Sequence, residues 1–123
     1  MLKILLLIAA LGLNLEFIDA TKVRHGNYSE FDAAAEDLVA TVDSKIVYRA
    51  IPEYKTILRE KLEEGSARYA ILIRTCTRKF KAALKLSQGS YVLIVEVGGV
   101  KDYPTTDITQ NIIKNIKIKV SHT

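Results

Sequence analysis

Thirty-four residues, from Glu53 to Leu86, carry the three- and four-residue spacing of apolar side chains that marks a helix, and a single break inside them constrains the whole fold. Tyr54, Ile57, Leu58 and Leu62 share one face up to Gly65-Ser66. Beyond it, Tyr69, Ile73, Cys76, Phe80, Ala83 and Leu84 define a second apolar face. An unbroken helix of this span would run about 50 Å, too long to link neighbouring strands in so small a domain. The glycine-serine pair therefore predicts an αα-hairpin folded at residues 65–66. Pro52 and Glu53 are suited to its start: proline loses no hydrogen bond in a first helical turn, and the acid lies near the positive end of the helix dipole.

The flanking segments read as strands. Leu38 to Tyr48 contains the β-branched Val39, Val42, Ile46 and Val47 and is closed by Pro52. Gly89 ends the helical stretch, and Tyr91 to Val97 is the strongest strand in the chain, apolar on both faces for most of its length. Gly98-Gly99 predicts a tight hairpin turn, with Val100 to Tyr103 as the returning strand and Pro104 as its stop. Asp107 and Gln110 make a variant capping box for a last helix whose face is Ile108, Ile112, Ile113 and Ile116. The expected fold class is α+β: a small β-sheet body built from a strand, an αα-hairpin, a β-hairpin and a C-terminal helix. One α/β domain is assigned to residues 38–123, preceded by a polar leader at 21–37 with a short helix over Ser29 to Asp37, capped by Ser29. A chain of 123 residues has no room for two independent cores.

Residues 1–20 read as a signal peptide. Lys3 supplies the positive start and Ile4 to Leu13 an apolar run of about ten residues, too short to span a bilayer as a helix. Cleavage is expected after Ala20, with Ile18 three positions back. A buried N-terminal helix is the alternative. The export reading places the protein in the periplasm or outside the cell.

Catalytic patterns are missing from the sequence. No glycine-rich phosphate loop, paired-carboxylate cleft or histidine beside a nucleophile is present, so the expectation is a protein with no catalytic residues, no cofactor and no metal. Cys76 is the sole cysteine, which excludes an intramolecular disulfide, and its neighbours Ile73 and Phe80 predict a buried structural thiol. His25 and His122 read as solvated residues near the chain ends. Asn27-Tyr28-Ser29 matches a glycosylation acceptor, a three-residue pattern common by chance.

Charge is the remaining signal. The net charge is +4, and removing Lys3, Glu16 and Asp19 with residues 1–20 raises it to +5. Between Ala67 and Gln88 there are six basic residues and no acid, and Arg74, Arg78, Lys81 and Lys85 fall on one stripe opposite the apolar face. Such a stripe is either a solvated helix face or a docking surface for an acidic protein segment or an anionic lipid surface. Nucleic acid is disfavoured, because no stacking aromatics are interleaved with the cations.

Two segments carry a family resemblance. Val42-Asp43-Ser44-Lys45-Ile46-Val47-Tyr48-Arg49-Ala50-Ile51-Pro52-Glu53-Tyr54-Lys55 resembles the first strand and helix start of the Skp/OmpH periplasmic chaperones. Gly89 to Glu96, then Gly99-Val100, Tyr103-Pro104 and Asp107-Ile108-Thr109 with Ile112-Ile113, resembles that family's closing hairpin and final helix. Together the two segments span 39 of 123 residues. The resemblance implies a homotrimer whose helical arms enclose unfolded outer-membrane proteins, binding them through shape, apolar patches and basic charge. The family's arms are long paired helices, and here only Glu53 to Leu86 lies between the matching segments. Two functions follow: a chaperone-like periplasmic protein binding unfolded or acidic clients, or a small secreted structural or interaction protein that engages a partner through a strand edge or the basic helix face.

Overall fold

A computed structural model describes residues 17–121 of the chain. The fold is α+β, with a small mixed four-stranded sheet and four α-helices among the described residues. Most of the expected signal peptide, residues 1–16, lies outside the described residues, as does His122. The chain divides into two compact units, one carrying the sheet (17–42 and 88–107) and one carrying the helices (43–87 and 108–121).

In the first unit the strands are β1 (Val23–His25), β2 (Val39–Val42), β3 (Leu93–Glu96) and β4 (Thr106–Asp107), in the spatial order β1-β3-β2-β4. β3 is central in sequence and in energy: Leu93, Ile94 and Val95 are fully buried, each contributing about 1.5–3 kcal/mol through apolar surface removed from water. It runs parallel to β2, with Val39 opposite Leu93 and Val42 opposite Glu96, and antiparallel to β1. β4 adds to the far side of β2, also parallel. One apolar cluster joins Phe31, Val39, Leu93 and Val95 to Ile18, with Phe17, Val23 and Tyr103 packed around it.

Two expectations change here. The leader at residues 21–37 has no helix over Ser29 to Asp37; it forms the end of a 3-10 turn at Ala20–Lys22, β1, a second 3-10 turn at Tyr28–Glu30 and further turns up to Glu36. Asn27 caps the second 3-10 turn by accepting the Ser29 amide at 3.0 Å, because a short Asx side chain satisfies a nearby amide more readily than a serine that would itself have to start a helix. The β-hairpin over Gly98-Gly99 does not form. The turn exists, with the Gly99 amide donating to the Glu96 carbonyl at 2.9 Å and Gly98 at φ +90, but Val100 bridges Ile18 instead of returning along β3. β1 and β2 already occupy both sides of β3, which leaves no ladder for a returning strand.

The residues 17–20, assigned to the cleaved segment, are part of this unit. Ile18 is 2% exposed, the Asp19 amide donates to the Gly99 carbonyl and the Lys101 amide to the Phe17 carbonyl, both at 2.8 Å.

The second unit holds α1 (Ser44–Arg49), α2 (Pro52–Glu60), α3 (Ala67–Ser87) and α4 (Thr109–Ser121). The strand expected to run to Tyr48 stops at Val42, because Asp43 caps a helix: its Oδ1 accepts from the Lys45 and Ile46 amides at 3.1 and 3.3 Å. The Asp43 amide in turn donates to Thr109 Oγ1 at 3.0 Å, tying the start of α1 to the start of α4. Asp107 lies in β4, opposite Thr41, so α4 begins at Thr109, after the acid read as its capping residue.

The αα-hairpin is observed as α2 and α3. The break comes earlier than the glycine. Lys61 adopts the left-handed conformation, φ +52, and the Lys61 and Leu62 amides reach back to close the end of α2. Ser66 then accepts the Tyr69 amide at 3.2 Å to open α3. Half-buried Tyr48 links three helices of the unit, edge-on to Tyr54 and Phe80 with centroids at 5.7 and 5.3 Å, its hydroxyl 3.2 Å from Thr77 Oγ1.

Candidate functional site

Helix α3 turns about 100° per residue, which separates its six cations into two groups with different fates. Arg68 and Lys79 face α2 and are neutralised there. Arg68 makes a two-pronged contact with Glu60 at 2.8 and 2.9 Å, and Lys79 Nζ lies 2.6 and 2.9 Å from the two Glu53 oxygens. Arg74, Arg78, Lys81 and Lys85, the stripe picked out in the sequence, are all exposed and form no ion pair among the described residues. Arg78 donates to Thr75 Oγ1 at 3.3 Å. Arg74, Thr77, Arg78 and Lys81 border an open hollow of about 410 Å³. Exposed Ile71, at 62%, sits beside the stripe, three residues before Arg74 on the same helix.

The Glu53–Lys79 pair is only a quarter exposed, at 26% and 24%. Burial pushes the Glu53 carboxyl up, but the Lys79 ammonium beside it outweighs burial and holds it below its ordinary value of 4.5. A lowered carboxylate stabilises the fold above the unfolded pKa and loses that contribution as pH falls through the folded one. Glu53→Gln is expected to lower stability by about 1 kcal/mol at neutral pH. Urea unfolding should show the gap to the unmodified protein closing as pH drops below 4.5 and through the lower folded value, because Glu53 then becomes protonated and, like glutamine, carries no charge to set against Lys79.

A second concavity lies within the sheet-bearing unit and has no counterpart in the sequence reading. It is a groove of about 620 Å³ lined by Phe17, Leu38, Tyr91, Tyr103 and Pro104 together with Glu36 and Asp37. The Tyr103 hydroxyl donates to the Asp37 carbonyl at 2.5 Å, and its ring lies 5.4 Å from Phe17 and 5.3 Å from Phe31. Burial first, then the nearby Asp37, Glu36 and Asp32 carboxylates, push the Tyr103 phenol above its ordinary range. Its lining comes from four separate stretches of chain, which is why no local motif points to it. The available signal was the acidic run Asp32 to Asp37 ending in an exposed Leu38.

Cys76 is fully buried, and burial, followed by the Glu53 charge, pushes its thiol up to about 11. Such a thiol is almost wholly protonated at neutral pH and is a packing group. Among the described residues no cluster of three His, Cys, Asp or Glu side chains could hold a metal, and no helix is long and apolar enough to cross a membrane.

No family model, curated protein or solved structure matches the chain.

Proposed function

We propose that this chain is a binding protein, without a catalytic step, that holds an acidic and incompletely folded polypeptide client on the basic face of α3. The reading rests on one observation: the four stripe cations are exposed and carry no acidic partner among the described residues, while the two cations off the stripe are neutralised by α2. Exposed Ile71 beside the charges adds apolar contact area, which suits an unfolded chain better than a purely ionic ligand. The edge strands favour the helix over the sheet as the docking surface. β1 is three residues long with an irregular register and β4 only two, the way natural sheets blunt their edges.

The same proposal places the protein outside the cytoplasm, in the setting of the Skp/OmpH resemblance. α2 and α3, at nine and 21 residues, make a short and unequal pair. α3 is about 30 Å long, so a single helix face is proposed as the holding surface, with no enclosed cavity. Light scattering on the full chain tests the trimer that the resemblance implies.

The decisive experiment reverses two charges. Arg78→Glu with Lys81→Glu is expected to weaken binding to a reduced, unfolded acidic protein by about tenfold at low salt, each contact being worth up to about 1 kcal/mol. The melting temperature should stay nearly unchanged, since neither side chain is buried. Unaltered affinity removes the stripe from the proposal.

A further inference from the structure

We infer that the aromatic groove of the sheet-bearing unit is a binding site for a small organic ammonium ion. The groove's volume, about 620 Å³, falls in the range of sites that enclose small molecules. Its walls have two properties that together select charge sign. Phe17, Tyr91 and Tyr103 are among the lining residues, and aromatic rings attract cations to their faces. Glu36 and Asp37 belong to the same lining, and no basic side chain is among the described lining residues. An anion would be repelled by these carboxylates, and since the Asp37 carboxylate already accepts the Asp32 amide, Glu36 is the charge that favours a cation over a neutral ligand. An organic ammonium ion satisfies both: its hydrocarbon part covers Leu38 and the rings, and its charge meets the carboxylates.

The groove is also held in shape without a ligand. Tyr103 is fixed by its hydrogen bond to the Asp37 carbonyl and by ring contacts on two sides, and Asp37 Oδ2 accepts the Asp32 amide at 2.8 Å. Ordering the site on binding therefore costs little. The inference is independent of the basic face of α3.

The test titrates the full chain with benzylammonium, benzyl alcohol and benzoate, followed by backbone amide shifts. Saturable shifts at Leu38, Tyr91 and Tyr103 are expected for benzylammonium alone. Asp37 is built into the loop, so Glu36 is the charge to remove: Glu36→Gln should weaken benzylammonium binding about threefold to tenfold with the melting temperature unchanged. Tyr91→Leu should weaken it by a comparable factor through loss of the cation–π face. Equal binding of benzyl alcohol, no saturable shift, or full affinity in Glu36→Gln overturns the inference.

Discussion

Removing residues 1–20 is expected to cost the protein most of its stability. Ile18 is buried against Phe31, Val39, Leu93 and Val95, and substitution of such a side chain by alanine typically costs about 2–4 kcal/mol. Deletion takes away more than that side chain. It also removes the Asp19 to Gly99 and Lys101 to Phe17 backbone bonds, the bridge to Val100 and the ring contact of Phe17 with Tyr103. A domain of this size has only about 5–15 kcal/mol of stability in total. Chemical denaturation of the full chain, of its Ile18→Ala variant and of residues 21–123 should give a falling series of midpoints. Identical midpoints for the full chain and residues 21–123 would mean that the 17–20 segment adds nothing. If the protein is exported as proposed, a processing cut after Ala20 would strip Ile18 from the core, so the cut is expected on the N-terminal side of Phe17. Mass spectrometry of the N-terminus of protein recovered outside the cytoplasm tests that position, and full-length protein confined to the cytoplasm would count against export.

Gly26→Ala is expected to be the most damaging single substitution. Gly26 has φ +97, a region L-residues rarely enter, and a Cβ built there would lie 2.2 Å from the Val92 carbonyl oxygen. The obstacle is backbone at the entry to β3 and has no rotamer to escape into. The strand pair of β1 with β3 must shift to admit it, at a cost of about 3 kcal/mol or more. Gly65→Ala is the control, since nothing lies within 4 Å of its added Cβ; a chain that tolerates Gly26→Ala as well as Gly65→Ala would contradict the close approach at β3.

The contrast between these two glycines shows where sequence reasoning reaches its limit. Gly65 was conspicuous because it interrupts a helical pattern, yet Lys61, with φ +52, is the residue that ends α2. Gly26 sits in a polar stretch with no periodic signal, and its importance comes from Val92, far along the chain. The same limit explains the first strand. The β-branched Ile46 and Val47 favour continued strand, but the Asp43 cap together with the Asp43 amide's contact to Thr109 decides for helix. The basic stripe was legible because it needs only helical geometry and composition. The neutralisation of Arg68 and Lys79 was not, because their acids sit on another helix.

By itself, then, the sequence determined what acts within a turn or two of chain: the α+β class, the helical pair between Pro52 and Ser87, the buried Cys76, the central apolar strand, and four cations on one helix face. Only the tertiary structure decided which segments meet: the parallel pairing of β2 with β3, β4 in place of a hairpin, Ile18 in the core and the aromatic groove. The physical reason is range. Periodicity, caps and turn residues are local preferences worth about 1 kcal/mol each, whereas burial of β3 and the bridge of Ile18 to Val100 join residues tens of positions apart, and the apolar surface they hide outweighs any local preference that opposes it.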